Sequence, residues 1–329
     1  MKRIFATRRS AGDVIMLALD GIPADLARSC WPGARIETMR SVFPTTSATG
    51  WLSALTGRPV AEHGVPGVVF RGDRGAPIHV FEAKDGFARP SGGNVFHDAA
   101  AHDLHPIALL GDLEPLAGRW RDILLDGAEP VAGLTLFAGD GAIGEGAILS
   151  RLAESIAHCR RASRRTFIWA FVDCDLYIHR HGYDPALRCF LESIDGFARS
   201  LTLSGATVIA HSDHGLVETE HDPALADLLA QIGARPGCAL GGAGRARWIY
   251  APPSARREIV AELRAKLAAE VLVADPDNWF APNSLARQRV GDILLIARGR
   301  RFLADPGIQF EHGSATVGEV DIPFAQWDP

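Results

Sequence analysis

Three continuous apolar runs most constrain how this chain can fold. They are Asp13–Leu19, Thr166–Val172 and Ala206–Ala210. Runs of this length are typical of strands buried on both faces, as in a parallel sheet covered by helices. Between the last two, Pro185–Leu203 carries apolar residues at helical spacing. Because strands alternate with helices, the sequence predicts an α/β fold with a mostly parallel sheet.

Each apolar run leads directly into acidic residues or an Asp-His pair. Asp20 follows the first run, Asp173 and Asp175 follow the second, and Asp213 with His214 comes just after the third. Ligands of open α/β sheets bind beyond the carboxyl ends of the strands. We therefore expect these side chains to form one site.

Four separated segments supply side chains of the metal-ligand type: Asp20, Asp175 with His179, Asp213 with His214, and Glu311 with His312. Each has an ordinary structural interpretation, since Asp after a strand commonly caps a helix or turn. The joint pattern favours a metal site. Asp175 and His179 lie four residues apart, on one face of a helical turn, whereas Asp173 lacks that spacing.

Three consecutive hydroxyl residues, Thr45, Thr46 and Ser47, open a predicted helix that ends near Gly57. Ordinary N-capping is one explanation, because Ser and Thr are preferred there. A nucleophile is the other, since the positive end of the helix dipole favours an alkoxide. A neighbouring divalent ion lowers the pKa of a bound oxygen further.

Residues after about 234 have a different pattern. Arg245–Ala251 and Gly291–Ala297 are predicted strands, and Ser254–Val271 is a predicted amphipathic helix. We interpret this region as a small α/β insertion that caps the site. The predicted division is a catalytic core over 1–233, a cap over 234–304, and a return to the core over 305–329.

Bulk properties exclude several classes of protein. A net charge of −5 over 329 residues argues against a protein that coats nucleic acid. The first eleven residues lack the apolar segment of a secretory signal, and no run of 18 apolar residues predicts a membrane span. Five scattered cysteines without a CxxC pair are typical of a reducing compartment, so we expect a cytoplasmic protein.

The order of these segments resembles the alkaline phosphatase superfamily, specifically its nucleotide pyrophosphatase/phosphodiesterase (type I phosphodiesterase) branch. The matching stretches are Leu19–Gly21, Phe43–Gly57 followed by Glu62–Gly64, Asp175–Gly182, Ser212–Gly215 and Glu311–Phe324. The resemblance implies an alkaline-phosphatase-like three-layer sandwich with a mostly parallel central sheet and a small cap.

The resemblance also implies two metal sites and a nucleophile. One ion would be held by Asp175, His179 and His312, and the other by Asp20, Asp213 and His214 with the oxygen of Ser47. Mixed carboxylate and imidazole ligands suit zinc, so we expect two Zn²⁺ ions. Ser47 stands where this branch usually has threonine, and Thr46 remains the alternative if the register differs by one residue.

Three residues are candidate substrate contacts. Gly50 leaves space beside the phosphate, Trp51 offers a flat face on which a planar leaving group could stack, and His181 lies close to the ligand segments in sequence. No basic residue occurs between Phe43 and Gly57, which favours a diester over a phosphate dianion.

The expected function is therefore hydrolysis of a phosphodiester or pyrophosphate bond in a small-molecule phosphate ester, through a covalent phosphoseryl intermediate. The alternatives are a phosphomonoesterase of the same fold, a mutase that transfers a phosphoryl group within one substrate, and a metal-binding relative without catalysis.

Overall fold

The structure, a computed structural model, describes residues 12–131, 145–161, 165–267 and 269–328, without the side chains of 145–148. Residues 1–11, on which the absence of a secretory signal was predicted, lie outside the described residues. The helices are α1 (Ala24–Cys30), α2 (Ser47–Thr56), α3 (Val60–His63), α4 (Val95–Ala100), α5 (Arg119–Leu124), α6 (Glu145–Arg160), α7 (Asp175–His181), α8 (Pro185–Leu203), α9 (Pro223–Gly233), α10 (Pro253–Lys266), α11 (Leu285–Arg289) and α12 (Val317–Val320). The strands are β1 (Val14–Leu19), β2 (Arg35–Arg40), β3 (Val69–Arg71), β4 (Pro77–His79), β5 (His105–Leu109), β6 (Glu129–Val131), β7 (Thr166–Val172), β8 (Thr207–His211), β9 (Val217–Glu218), β10 (Glu220–His221), β11 (Ala239–Ala243), β12 (Ala246–Tyr250), β13 (Val271–Ala274), β14 (Ile293–Ala297), β15 (Arg301–Phe302), β16 (Phe310–Glu311) and β17 (Asp321–Trp327).

The central sheet has seven strands in the order β2-β17-β8-β1-β7-β5-β6. Strand β17 runs antiparallel to its neighbours β2 and β8. The other four pairs, β8-β1, β1-β7, β7-β5 and β5-β6, are parallel. Strand β1 lies between β7 and β8, so the three predicted strands are neighbours and their carboxyl ends meet at one edge. The mostly parallel α/β fold predicted from the sequence is confirmed.

The two faces of the sheet belong to different hydrophobic clusters. Along β1, Val14, Met16 and Ala18 pack into one cluster with side chains of α2, α4 and α5. The alternate residues Ile15, Leu17 and Leu19 pack into the other with α1, α6 and α8. This alternation is the strand period of two, and it produces a three-layer sandwich.

A second, antiparallel sheet in the order β11-β12-β14-β13 lies beside this sandwich. Trp248 and Tyr250 on one face of β12 join the main core cluster. Ile249 on the other face packs with α9 and α10 in a separate cluster that begins at Leu225. The domain bounds at 233 and 304 remain a prediction, and the second sheet is packed against the core over one whole face.

One predicted helix is shorter in the structure. The apolar stripe of Ser254–Val271 predicted a single helix, but α10 ends at Lys266 and Val271 begins β13. Val271 faces the same hydrophobic cluster as the helix. A partly buried residue just beyond the helix therefore fitted the helical spacing by coincidence.

A buried ion pair joins the second sheet to the segment after His312. Arg245, at the start of this sheet, and Glu319, in α12, are 1% and 0% exposed, and Arg245 Nε lies 3.3 Å from Glu319 Oε1. Arg245 also donates from Nη1 to Thr219 Oγ1 at 3.0 Å, and Glu319 Oε1 accepts from the Ser314 amide at 2.8 Å. Both charges therefore have partners, as buried charges require.

We expect Glu319→Ala to lower the free energy of unfolding by about 3–5 kcal/mol, because it leaves the Arg245 charge buried without its partner. The matched control is Glu218→Ala, which breaks the exposed pair with Arg300 and should cost about 0–1 kcal/mol. Denaturant unfolding of the three proteins measures both values. Equal losses in the two variants would contradict the structural role of the buried pair.

Candidate metal centre and nucleophile

The ligand-type side chains predicted from the sequence converge at the carboxyl ends of β1, β7 and β8. Asp20 directly follows β1, Asp175 begins α7 three residues after β7, and Asp213 follows β8. Asp20, Asp213 and His214 are 3%, 1% and 0% exposed. Strand order alone therefore brings residues 190 positions apart in sequence into one buried cluster.

The first cluster contains Asp20, Asp213 and His214. His214 Nε2 lies 3.6 Å from Asp20 Oδ1 and 3.4 Å from Asp213 Oδ2. Ser47 Oγ is 3.1 Å from His214 Nε2 and 3.5 Å from Asp20 Oδ1. The serine hydroxyl thus lies at the edge of a set of ligand atoms that fit around one ion.

The second cluster contains Asp175, His179 and His312. His179 Nε2 lies 3.1 Å from Asp175 Oδ2, and His312 Nε2 lies 3.8 Å from Asp175 Oδ1. The ring of His312 stacks on that of His214, with centroids 3.9 Å apart. The two clusters are therefore in direct contact.

Backbone carbonyls fix the orientation of two imidazoles. His179 Nδ1 donates to Phe310 O and His312 Nδ1 donates to Thr45 O, both at 2.7 Å. In each ring Nε2 is then directed at Asp175 and is the nitrogen left to bind an ion. Such a hydrogen bond on the far nitrogen is typical of metal-ligating histidines.

Several buried carboxylate oxygens have no hydrogen-bond partner in the described part of the chain. They are both side-chain oxygens of Asp213 and Oδ1 of Asp175. Buried polar atoms are normally satisfied, so each exception requires an explanation. A divalent cation is one that suits the oxygen and nitrogen donors here. The residues present therefore fit a metal site.

The pKa values of these groups show that the arrangement disfavours their charged forms when no cation is bound. Burial raises the pKa of Asp20, and the Asp213 carboxylate raises it further. Burial also raises the pKa of Asp213 and lowers that of His214. Burial opposes ionisation of Asp175 too, but the imidazoles of His179 and His312 outweigh it and lower its pKa. Positive charge is thus what keeps these carboxylates ionised.

The three hydroxyl residues before α2 have different partners. Thr45 Oγ1 donates to Ser314 O at 2.8 Å and accepts from the Gly313 amide. Thr46 Oγ1 lies 3.0 Å from Thr49 Oγ1, and both threonines are fully buried. Of the three hydroxyls, only that of Ser47 contacts the ligand clusters.

The predicted stacking on Trp51 is wrong because the ring is buried, whereas the contact at Gly50 stays a prediction. A Cβ on Gly50 would lie 2.9 Å from Asp213 Cβ, so the glycine permits close packing of α2 against the Asp213 loop, and it also lines a cavity bounded by α2. Trp51 is 0% exposed, and its ring packs edge-on against Trp169 and Phe171. It therefore has no free face on which a substrate can stack.

Trp51 instead contacts a candidate ligand. Its indole Nε1 donates to Asp20 Oδ2 at 2.9 Å, which leaves Oδ1 directed towards Ser47 and His214. Trp51 is four residues after Ser47 on α2, so one helix carries the serine and the donor that orients Asp20. Sequence reasoning missed this role because nothing in the sequence shows which way the indole points.

The remaining predicted residues differ in their exposure. His181 is exposed at the end of α7 and stacks on Tyr177 at 4.4 Å, and its contact with substrate stays a prediction. Asp173 Oδ1 accepts from the Leu176 amide at 3.0 Å, so it caps the start of α7 while Asp175 contacts the imidazoles. The sequence analysis counted Glu311 among the side chains of metal-ligand type but placed it in neither metal site, and its carboxylate lies near His179 and His312.

The amino-terminal part of the chain matches a family of phosphoesterases. Residues 15–105 match the family described as type I phosphodiesterase / nucleotide pyrophosphatase. This match covers Asp20 and the Ser47 helix, and it confirms the resemblance to the nucleotide pyrophosphatase/phosphodiesterase branch of the alkaline phosphatase superfamily. A search of curated proteins by sequence finds no significant match.

Solved structures with the same fold align with nearly the whole chain. Phosphonoacetate hydrolase from Sinorhizobium meliloti 1021, solved with phosphonoformate, aligns with a TM-score of 0.70 and 19% identity over 96% of this chain and 90% of its own. Murine ectonucleotide pyrophosphatase/phosphodiesterase 5 aligns with a TM-score of 0.66 and 13% identity over 96% and 88%. An inactive variant of the murine protein, solved with AMP, aligns with a TM-score of 0.64 and 14% identity over 95% and 87%. At these identities the likeness confirms the alkaline-phosphatase-like fold.

We expect Trp51→Phe to weaken metal binding by about 10–100-fold, because it removes the donor that orients Asp20 and keeps an aromatic ring in the core. The matched control is Trp120→Phe, whose Nε1 donates to a carbonyl on the same helix, that of Ala48, at 2.9 Å. Chelator competition measures metal affinity, and thermal unfolding measures the stability that both variants should lose. Equal metal loss in the two variants would contradict a specific role for the Trp51–Asp20 bond.

Proposed function

We propose that this chain is a metal-dependent hydrolase of phosphodiester or pyrophosphate bonds in small molecules, with Ser47 as its nucleophile. The observation that carries the proposal is the contact of the Ser47 hydroxyl with His214 and Asp20, beside buried carboxylate oxygens that lack partners. The phosphodiesterase family match over residues 15–105 supports the same reaction class.

Two divalent ions, zinc by the preference of their ligands, would be held by the two clusters. Asp20, Asp213, His214 and the Ser47 oxygen would hold one, and Asp175, His179 and His312 the other. Bound there, the ions would lower the pKa of the serine hydroxyl and of water and would offset negative charge on the phosphoryl oxygens.

In the proposed reaction Ser47 Oγ forms a bond to phosphorus as the bond from phosphorus to the leaving oxygen breaks. This step gives a seryl phosphate ester that keeps the other substituent of phosphorus, and it releases an alcohol or a phosphate that takes up the serine proton. Water then attacks the phosphorus and displaces Ser47 Oγ, which recovers its proton. Ser47 is the first residue of α2, where the positive end of the helix dipole stabilises the developing negative charge.

Thr46 is the weaker candidate for the nucleophile. Its hydroxyl is fully buried and pairs with Thr49, so attack by Thr46 would require the start of α2 to rearrange. Ser47 is partly exposed and already lies beside the ligand atoms. The geometry therefore supports the register in which serine replaces the usual threonine.

A diester or pyrophosphate substrate needs room for a second substituent on phosphorus. A cavity of about 260 Å³ lies between α2 and β17 and is lined by Asp213, with Arg40 and Arg58 among its other walls. The murine relative is solved with AMP, a phosphate monoester that a nucleotide diester or pyrophosphate would yield. The AMP complex supports the larger substrates, whereas the cavity reaches the ligand clusters only through Asp213.

A cytoplasmic location is part of the proposal. All five cysteines are free in the structure, and three of them are buried, which supports a reducing compartment. Within the described residues, the structure contains no helix with the length and apolar character that a bilayer crossing requires.

We expect Ser47→Ala to lower kcat by roughly 10³-fold or more, because the covalent step loses its nucleophile. Thr46→Val, which keeps the shape of a residue whose hydroxyl pairs with that of Thr49, serves as the control and should stay within about tenfold of wild type. Steady-state turnover of a nitrophenyl ester measures both, with circular dichroism to verify folding. An active Ser47→Ala with an inactive Thr46→Val would place the nucleophile one residue earlier.

The ratio of kcat/KM for bis(p-nitrophenyl) phosphate over p-nitrophenyl phosphate should exceed one, because the proposed substrate is a diester or a pyrophosphate. Ser47→Ala measured in parallel gives the background rate. A ratio far below one would favour a phosphomonoesterase. Recovery of an isomerised phosphate would favour a mutase, and cleavage of phosphonoacetate alone would favour a phosphonate hydrolase. Metal retention without any turnover would favour the non-catalytic relative.

A further inference from the structure

Glu311 brings a fourth carboxylate to the metal centre. It precedes His312 in the chain and lies on β16, which pairs with β9 through Glu311 and Val217. Its side chain is 13% exposed, so the carboxylate is largely removed from solvent. A largely buried carboxylate requires a positive partner or several hydrogen bonds.

Glu311 lies beside two imidazoles, and its charge also interacts with the buried guanidinium of Arg247. Glu311 Oε1 lies 3.7 Å from His179 Nδ1 and 3.8 Å from His312 Nε2, and it accepts from the His312 amide at 3.1 Å. Its carboxylate and the two rings place ligand atoms within 4.8 Å of one another. The contact with His179 is at the nitrogen that donates to Phe310 O, so it is the contact with His312 Nε2 that places Glu311 beside the second cluster.

The second sheet leaves Glu311 little freedom to turn away. Gly244, in the turn between β11 and β12, has a φ of +51°, and a Cβ there would lie 3.1 Å from Glu311 Oε1 and 2.1 Å from His312 O. The backbone of this turn therefore lies against both residues. The Arg245 amide donates to His312 O at 2.7 Å and fixes the same contact.

The distribution of charge between the two clusters points the same way. Asp20 and Asp213 give the first cluster two carboxylates, whereas Asp175 alone gives the second cluster one. With Glu311 each cluster would offer two carboxylates, and four negative charges would balance two divalent cations. Such a balance limits the cost of burying the ions.

We propose that Glu311 is a further ligand of the ion held by Asp175, His179 and His312. This proposal rests on the proposed function, since it assumes that the second cluster binds a metal. It adds a carboxylate to the set of ligands implied by the family resemblance. It also gives the contact between the second sheet and His312 a role in metal retention.

The test is the number of zinc equivalents that the protein retains during dialysis against increasing chelator, measured by elemental analysis. Wild type should retain two. Glu311→Gln keeps the size of the side chain and an acceptor for the His312 amide, and it should lose one equivalent at about 10–100-fold lower chelator concentration. His179→Ala should lose the same equivalent, and the double variant should lose no more than His179→Ala alone.

The matched control is Glu218→Gln, which changes an exposed glutamate on the paired strand β9 and should retain metal as wild type does. A Glu311→Gln curve that coincides with wild type, while His179→Ala loses one equivalent, would overturn the proposal and leave the two-metal function intact. A wild-type protein that retains no zinc would overturn both. Circular dichroism of each variant verifies that metal loss does not result from unfolding.

Discussion

The structure depends on holding several carboxylates together away from water. Asp20, Asp213 and Asp175 meet at the ends of three adjacent strands, and the first two are almost completely buried. Like charges this close disfavour ionisation, and burial adds to the penalty. Only nearby positive charge offsets both effects. A fold that keeps such a cluster is therefore best explained by the cations that the cluster would bind.

The surrounding residues restrict how the cluster can move. Carbonyl groups of Phe310 and Thr45 orient His179 and His312, while the indole of Trp51 orients Asp20. Thr45 is also bonded to the loop after His312 through its side chain. The backbone beside the nucleophile and a ligand from the far end of the chain are thus fixed to each other. Binding sites of high affinity require this kind of support around the ligands.

The sequence predicts most of what depends on local pattern. Pro185–Leu203 is a helix with the predicted bounds, because its apolar spacing and its Asp184 cap agree. The ligands at the strand ends follow from the parallel sheet. The direction of a side chain depends on tertiary packing and not on the local sequence pattern, so the burial of Trp51 and the packing of Gly50 against Asp213 were not predicted. Val271 was predicted to be helical because its position matches the helical spacing, although it belongs to the strand that follows the helix.

The second sheet packs against the residues that form the candidate site. Trp248 and Tyr250 extend the core of the sandwich, and Arg245 forms a buried pair with Glu319. Its backbone also bonds to His312 O. Any displacement of this sheet would have to expose apolar side chains and separate a buried charge from its partner. The same contacts hold Gly244 against Glu311, so the geometry of the second metal cluster depends on how firmly this sheet is packed.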